Sequence, residues 1–361
     1  MLVYSKKLFV ILSLSIMALL STSVQADELA DARSAYEHGE FASAQNRFLP
    51  LAKKGDALAE FYLGLIHENG QGVAQNYKKA GEWYQKAANH GIAVAQNNLA
   101  MMYSQGKGLP QDHKQALKWF SKAAAQGSAS AQLNIGIMYA DGLGVYQNSL
   151  DAYIWATIAT VHGDANSKIL QDHMAKQLTA DNIVLAYYDI GIMFAAGHDI
   201  PKNNQESIKW YTKAAKQGHV KSQEALAALY LGGEQAPQDF KKAAKWVQQI
   251  AKQQGDANFQ KILGIFYREG LGVNKDYKKA AKWFQKSAKQ GNTLAQTFLG
   301  LMYREGQGVT KDQVHALMWF NLSAADGDKN AENLRNMLAK TMSPAKIDQA
   351  QKLTEGWKPA R

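Results

Sequence analysis

The chain has 361 residues, of which 46% are hydrophobic and 20% are charged, and it contains no cysteine. These proportions are ordinary for a folded soluble protein and exclude both intrinsic disorder and a polytopic membrane protein. Without cysteine there is no disulfide, no thiolate metal ligand and no lipid-modified N-terminal cysteine. The formal net charge of +10 favours anionic partners in general but names none of them.

The N-terminal segment has the pattern of a secretory signal peptide. Two lysines precede an apolar run of 13 residues, Leu8 to Leu20, which is too short to span a bilayer comfortably. Val24 and Ala26 are small residues at the positions that a signal peptidase reads. We therefore expect residues 1–26 to be removed, leaving a periplasmic or secreted chain with a net charge of +8 and no transmembrane segment.

Seven tryptophans recur at intervals close to 36 residues, with one longer interval of 55. A glycine follows each of them by eight or nine residues, and Asn or Asp precedes each by seven. Because Asn and Asp cap helix N-termini and Gly ends helices, each tryptophan is predicted to lie mid-way along a second helix of about 14 residues. The tryptophans are Trp83, Trp119, Trp155, Trp210, Trp246, Trp283 and Trp319.

A second recurring pattern predicts a first helix in each repeat. An aliphatic residue is followed by Gly or Ala, as in Leu63-Gly64 and Leu263-Gly264, and an aromatic residue comes three positions later in six repeats. A Gly-x-Gly turn then leads into the second helix in five repeats. We expect the small residue to let a neighbouring helix approach closely, with the later aromatic filling the groove beside it.

The segment from Ala93 to Gly127 follows the pattern Ala-x-Ala-Gln-x-x-Leu-Gly-x-x-Tyr-x-x-Gly-x-Gly-Val…Lys-Ala-x-x-Trp-x-x-Lys-Ala-Ala-x-x-Gly closely, and similar segments cover residues 31–340. The chain therefore resembles the Sel1-like repeat (SLR) family, a relative of the tetratricopeptide repeats. The resemblance implies an all-α fold, a right-handed α-solenoid of helix-turn-helix repeats with a concave face, and roles in protein–protein assembly, often at the bacterial envelope. It implies no catalytic activity, and we expect neither an enzyme nor a cofactor.

The longer interval divides the repeats into two tandem arrays. After Gly163 and after Gly327 the chain carries the same series of residues at the same offsets, so one capping element is used twice. Solenoid ends need such an element to cover an otherwise exposed face. The predicted divisions are 1–26 (signal peptide), 27–55 (N-terminal half repeat), 56–163 (first array, three repeats), 164–184 (intermediate capping helix and junction), 185–327 (second array, four repeats) and 328–361 (C-terminal capping helices).

Motifs that could suggest chemistry have simpler structural explanations. The Gly-x-Gly pairs lack the following glycine of a dinucleotide fingerprint and join helix to helix. Ser343-Pro344-Ala345-Lys346 matches the Ser-x-x-Lys of penicillin-recognising enzymes, but the accompanying elements are absent, and Ser-Pro is typical of a helix N-terminus. The nine histidines show no ligand spacing, and His67, which replaces the aromatic of the first repeat, is expected to be a half-exposed packing residue. No catalytic or metal-binding residue is predicted.

The candidate partner-binding positions lie on the first helices, 22 and 21 residues before each tryptophan. Asn is a poor helix former, and amide and aromatic side chains suit an extended peptide. We interpret these positions as a groove for a partner segment, with exposed, neutral positions as the alternative. The candidate residues are Phe61, Tyr62, Asn97, Asn98, Asn134, Tyr188 and Asp189.

The preferred function is an exported scaffold or regulator that binds another protein, either of the cell envelope or secreted. An alternative partner is an anionic glycan such as envelope polysaccharide or peptidoglycan, bound by the lysines that cluster on the second helices, although a solvated face also explains those lysines. A hydrolase of the β-lactam-binding type is a weaker alternative, because that subgroup of the family is cysteine-rich. Nucleic acid is not expected, because aromatic residues do not interleave with the lysines.

We predict processing after Ala26. Protein recovered from the periplasm or the medium should begin at Asp27, which intact-mass measurement and N-terminal sequencing would show. A variant that lacks the apolar run Leu8 to Leu20 should stay in the cytoplasm with its N-terminus intact, because that run is what the export machinery recognises. An exported chain that still begins at Met1 would contradict the prediction.

Overall fold

The computed structural model describes residues 26–233, 237–253 and 255–359; the candidate signal peptide, apart from its last residue, lies outside them. Helices form all the regular secondary structure of these residues, which contain no strand, and the predicted all-α class is confirmed. The helices are α1 (26–37), α2 (Phe41–Lys53), α3 (Ala57–Asn69), α4 (Tyr77–Asn89), α5 (Ala93–Gln105), α6 (His113–Ala125), α7 (Ala129–Asp141), α8 (Ser149–Val161), α9 (Ser167–Ala175), α10 (Ala180–Ala196), α11 (Asn204–Lys216), α12 (Val220–Gly232), α13 (Phe240–Gln253), α14 (Ala257–Glu269), α15 (Tyr277–Lys289), α16 (Thr293–Glu305), α17 (Gln313–Ala325), α18 (Lys329–Ala339) and α19 (Pro344–Glu355).

The helices form two compact units, which divide between Asn203 and Asn204. The first unit contains α1–α10 and the second contains α11–α19. Within each unit the helices pack in series, each second helix contacting both its own first helix and the next one, which is the arrangement of an α-solenoid. The predicted junction within residues 164–184 includes the start of the continuous helix α10, with Thr179 as its N-cap, and the predicted division into arrays stays a prediction.

The helix boundaries follow the predicted capping residues. Asn76 accepts a hydrogen bond from the amide of Lys79 at the start of α4, and Asp276 does the same for Lys279 at the start of α15. The same bond is made by Asp112, Asn148, Asp239 and Asp312. These bonds satisfy amides that have no partner inside the helix.

The turns between helices depend on glycine. Gly70 ends α3 in the left-handed conformation with φ of 68°, and Gly72 also has a positive φ of 71°. At Gly72 a side chain would in addition lie 2.8 Å from the backbone nitrogen of Ala42. The Gly-x-Gly pair therefore has a structural role in making the turn, as the sequence predicted.

In three repeats a glycine on the first helix receives a ring from the second helix of the same repeat. A side chain on Gly64 would place its Cβ 2.5 Å from the ring of Tyr84, and on Gly264 it would lie 2.6 Å from the ring of Phe284. The ring belongs to the residue directly after the repeat tryptophan. The sequence predicted the close approach of a neighbouring helix at this residue but did not identify the ring that packs on it, and the groove-filling role of the aromatic three residues later stays a prediction.

Buried glutamines join one repeat to the next. Gln96 donates to the carbonyl of Ala88 at 3.1 Å, and Gln132 donates to the carbonyl of Ala124 at 3.2 Å. Both carbonyls lie in the last turn of the preceding second helix, where backbone acceptors lack helical partners. Nδ1 of His162 lies 2.7 Å from the amide oxygen of Gln132, so both ends of this buried amide are paired. Paired buried polar groups fix the position of one helix relative to another.

The two predicted capping segments show the same pattern of packing. In the first unit α9 and α10 both pack against α8, and in the second unit α18 and α19 both pack against α17. Asp164 and Asp328 each accept hydrogen bonds from the first-turn amides of the short helix that follows. The function of these segments as caps stays a prediction.

In the described part of the chain, no helix combines the length and the apolar character that a membrane crossing requires.

We predict that Gly264→Leu destabilises the second unit by about 1–3 kcal/mol, because the new side chain overpacks against the ring of Phe284. Thermal and urea unfolding would measure this cost. Lys282→Ala on the exposed side of α15 is the control and should change stability by less than about 0.5 kcal/mol. Equal stability of the two variants would show that the contact between Gly264 and Phe284 is not part of the folded core.

Candidate functional site

The seven candidate residues occupy two different positions on the first helices, and all are half-buried. Tyr62 has the later position of its pair, and its ring stacks on Phe48 of α2 with centroids 4.8 Å apart. In the second unit Phe298 at the equivalent position stacks on Phe284 of α15 at 5.0 Å. The later position therefore faces the preceding second helix, where packing limits its access to a partner.

Asn98 has the same later position and belongs to a hydrogen-bonded cluster. The hydroxyl of Tyr84 donates to the Glu68 carboxylate at 2.6 Å, and the Asn98 side chain also hydrogen-bonds to that hydroxyl. Burial and the Glu68 bond together raise the pKa of Tyr84 far above its ordinary value, so the hydroxyl keeps its proton. The structure thus gives Asn98 an internal partner that the sequence did not reveal.

Asn134 and Asp189 are the remaining candidate residues at the later position. Asn134 lies on α7 opposite Phe120, which stands where Tyr84 stands one repeat earlier and has no hydroxyl to bind. Asp189 lies on α10, and burial together with the nearby carboxylate of Asp151 raises its pKa. A raised carboxyl pKa means that the charge is poorly compensated at this place.

Phe61, Asn97 and Tyr188 have the earlier position, which faces away from the preceding helix. Phe61 packs with its ring centroid 6.0 Å from Tyr84, which fixes its orientation. The amide oxygen of Asn97 is buried and accepts no hydrogen bond from any described residue. Residues three before and four after this position share its helix face, since helical neighbours at these spacings lie one above another.

Together these positions form one equivalent face on each first helix of the first unit, and we call this set of residues the first-helix stripe. None of its members is buried, and only Asn97 and Ser130 are neither apolar nor aromatic. The exposed fraction reaches 55% at Val94. The first-helix stripe consists of Leu58, Phe61, Leu65, Val94, Asn97, Met101, Ser130, Leu133, Ile137, Leu185, Tyr188 and Ile192.

The equivalent positions in the second unit are mixed in character. They are Lys221, Glu224, Ala228, Asn258, Lys261, Ile265, Leu294, Thr297 and Leu301. The apolar surface is therefore concentrated in the first unit. The sequence prediction missed most of the stripe because it considered two adjacent positions per helix; apolar residues three before and four after the earlier position were the signal that would have found it.

The lysines of the second helices lie on an exposed face and have internal partners. Lys242 and Lys279 each lie 3.2 Å from the capping aspartate of their own helix. Other ammonium groups cover the repeat tryptophans, as Lys86 does over Trp83 at 4.1 Å and Lys122 over Trp119 at 4.1 Å. These contacts agree with a solvated face whose lysine stems cover apolar surface.

The remaining sequence motifs lie outside the stripe. His67 is 7% exposed, so it is buried and not half-exposed as expected, and burial together with the nearby charge of Lys79 lowers its pKa. Ser343 is the N-cap residue of α19 and Pro344 its first residue, although the Ser343 hydroxyl makes no capping bond. Among the described residues no group of three or more His, Cys, Asp or Glu side chains could hold a metal ion.

These features define a helix-turn-helix repeat protein of the α-solenoid class, with one solvent-facing apolar band. The Sel1 repeat matches the chain seven times, at residues 57–92, 93–128, 129–162, 184–219, 220–254, 259–292 and 293–328. The chain belongs to the Sel1 repeat family, and the resemblance noted in the sequence is confirmed. Sel1 repeat proteins generally mediate protein–protein interaction, and the family is mostly non-enzymatic.

Several solved structures are similar to the chain. One is c5321, a protective antigen of uropathogenic Escherichia coli with an SLR fold, at 26% identity over 92% of this chain and 91% of that one, with a TM-score of 0.37. Another is a Sel1 repeat protein from Oxalobacter formigenes, at 24% identity over 82% and 96%, with a TM-score of 0.36. A third is the immunity protein Pa5087 from Pseudomonas aeruginosa, at 19% identity over 74% and 81%, with a TM-score of 0.27. Among curated proteins, none matches the chain.

We predict that Asn98→Ala is less stable than Asn134→Ala by about 1 kcal/mol, the usual value of one intramolecular hydrogen bond. Both changes gain the same helix propensity, so their difference isolates the bond to Tyr84. Urea unfolding would measure both. In a Tyr84→Phe background the difference should vanish, and a difference that persists there would show that Asn98 stabilises the fold in another way.

Proposed function

We propose that the protein is an exported scaffold or regulator that holds a segment of another protein against the first-helix stripe. Ten large hydrophobic side chains are exposed among the described residues, and half of them, Leu58, Val94, Ile137, Leu185 and Ile192, lie on this one band. Contiguous apolar surface that a monomer leaves uncovered marks an interaction site. This clustering is the observation that carries the proposal.

The stripe favours a partner segment with apolar side chains and a free backbone or amide group. Burying one exposed aliphatic side chain fully contributes about 1.5–3 kcal/mol, so a few anchors are sufficient for specific binding. The buried amide oxygen of Asn97 accepts no hydrogen bond from any described residue, and it offers an acceptor at the centre of the band once the side chain turns outward. The aromatic ring of Tyr188 supplies a flat surface with a polar end.

The proposed place of action is the periplasm or the extracellular medium. Its support is the basic, apolar and small-residue order of residues 1–26, which is that of a signal peptide. A chain without cysteine tolerates an oxidising compartment without forming wrong disulfides. The glycan alternative has less support, because several lysines of the second helices, such as Lys242 and Lys86, already have a capping carboxylate or a tryptophan ring as partner.

We predict that the double variant Val94→Glu with Ile137→Glu loses partner capture while keeping its fold, because two carboxylates replace apolar anchors. A photocrosslinker placed at Met101, between the two changes, would measure capture in intact cells. The expected loss of crosslinked product is at least about tenfold, since two lost anchors exceed 1.4 kcal/mol.

The matched control is Ile169→Glu with Met337→Glu. These side chains are 74% and 65% exposed and lie on α9 and α18, away from the stripe. The control should keep full capture. If capture survives the stripe changes but collapses in Lys241→Ala with Lys242→Ala, and becomes steeply salt-dependent, the basic face binds the partner and the proposal is wrong.

A further inference from the structure

The third residue of the second helix varies between repeats: it is Gln115 in the second repeat, Asp151 in the third, and Glu206 in the fourth, where Glu206 pairs with Lys209 and Trp210. In the fifth and sixth repeats, the third residue of that helix is a lysine. Lys279 lies with its ammonium 5.4 Å from the ring centre of Tyr267 and 3.2 Å from the capping Asp276. Lys242 has the same arrangement, at 5.1 Å from Tyr230 and 3.2 Å from its capping aspartate. A cation between a tyrosine ring and a carboxylate is thus part of the repeat's own design.

The seventh repeat keeps this arrangement with a different side chain. The imidazole of His315 stacks on Tyr303 at 5.3 Å, and its Nδ1 lies 2.6 Å from the capping Asp312. In each of these three repeats, the backbone amide of the capping residue donates to the backbone carbonyl of the tyrosine that contacts the cation. For example, the amide of Asp312 donates to the carbonyl of Tyr303 at 2.9 Å. This backbone bond identifies the equivalent residues in the other repeats.

In the third repeat the amide of Asn148 donates to the carbonyl of Tyr139 at 2.9 Å, so Tyr139 is the equivalent tyrosine. The position of the lysine is occupied by Asp151, and the capping residue is the neutral Asn148, whose side chain donates to Asp151 at 2.6 Å. The carboxylate and the tyrosine are therefore both kept, while the cation between them is replaced. Among the described residues no lysine, arginine or histidine forms an ion pair with Asp151.

An open cleft of about 700 Å³ lies at this point, lined by Tyr139, Asp151 and Tyr146 among others. Tyr146 is 96% exposed and makes no packing contact that would explain an aromatic residue there. The corresponding residues before the other capping positions are small or polar, or proline: Ala74, Pro110, Pro201, Pro237, Asn274 and Thr310. Two tyrosines and a carboxylate around one cleft are the groups that bind organic cations in proteins.

The electrostatic surroundings agree with this geometry. Burial raises the pKa of the Asp151 carboxyl, and it raises the pKa of Asp189, which the charge of Asp151 raises further. Burial also raises the pKa of Tyr139, together with the negative charges of Asp151 and Asp199. The exposed Lys114 lines the same cleft from α6. Negative charge is therefore concentrated here in a chain whose net charge is +10, and an incoming cation would relieve it.

We propose that this cleft binds the ammonium or guanidinium group of a lysine or arginine side chain supplied by a protein partner, with Asp151 as its counter-ion and Tyr139 and Tyr146 as its aromatic walls. The inference rests on the proposed function for the existence of a protein partner. It adds that the partner segment presents a basic residue to the third repeat. In the fifth and sixth repeats, a lysine of the chain itself occupies the equivalent place.

The test is an NMR titration of the mature chain, whose tyrosine rings are labelled with carbon-13. The titrants are N-acetyl-lysine N-methylamide and N-acetyl-arginine N-methylamide. The Tyr139 and Tyr146 ring signals, assigned by tyrosine-to-phenylalanine variants, should shift with both amides. The neutral N-acetyl-norleucine N-methylamide at equal ionic strength should not shift them. Equal shifts with the norleucine amide, or no shift up to the solubility of the charged amides, would overturn the proposal.

Two variants make the test specific. Asp151→Lys places the lysine of the fifth and sixth repeats beside Tyr139, so it should fold normally and lose binding of the charged amides, because its own ammonium fills the cleft. Asp151→Asn should weaken binding about tenfold or more, the order expected for one charged hydrogen bond, without lowering the melting temperature. Asp141→Asn is a control that removes an exposed charge at the end of α7 outside the cleft. A loss as large in Asp141→Asn would mean only general attraction of cations, against the proposal.

The amide titration monitors the cleft by itself and does not require the natural partner. It can therefore fail while crosslinking at the first-helix stripe succeeds, or succeed while crosslinking fails. The stripe variant Val94→Glu with Ile137→Glu should leave amide binding unchanged, which keeps the two hypotheses experimentally separate.

Discussion

The fold depends on the contact between a glycine of the first helix and an aromatic ring of the second helix in the same repeat. At Gly64 and Gly264 any side chain would overlap the ring that packs there. The close approach lets the two helices of a repeat bury their facing sides completely, and Tyr84 and Phe284 are among the largest fully buried side chains. Because the second helix packs against the next first helix as well, the same geometry passes from repeat to repeat.

This packing leaves the first and the second helices with different surfaces. The second helices place lysines outside, over tryptophan rings and beside capping carboxylates, so their charges are already engaged. The first helices are held on both sides by second helices, and their third side carries the first-helix stripe, of which Phe61, Leu65 and Met101 are partly buried against the core. In the first unit that side is apolar, whereas in the second unit it includes Lys221, Glu224 and Lys261. A single scaffold thus presents an apolar surface in one unit and a surface of mixed character in the other.

The sequence predicts the repeating features of the fold well because they are local. A capping carboxylate acts on amides three residues away, and a left-handed glycine acts on its own turn, so Asp276 and Gly70 could be interpreted without the structure. The identity of the ring above Gly64 could not be predicted, because it depends on how two helices rotate against each other. For the same reason Asn98 could not be distinguished from Asn97: one residue of helix is a rotation of about 100°, enough to turn one side chain toward Tyr84 and the other toward the stripe. The extent of the apolar band could not be predicted either, because it depends on how the helices rotate against each other and on which of two adjacent residues turns toward the stripe.

In a repeat protein each repeat serves as a reference for the others. A lysine between a tyrosine and a carboxylate in two repeats shows that this place accommodates a cation without strain. When Asp151 replaces the lysine and Tyr139 stays, the carboxylate lies in the first turn of α8 and accepts a hydrogen bond from Asn148, but its burial without an ion-pair partner still costs free energy. An exposed Tyr146 at the same turn likewise adds no packing. The two neighbouring departures together rebuild the surroundings of a cation without supplying the cation, and the proposed basic side chain of a partner would fill that place.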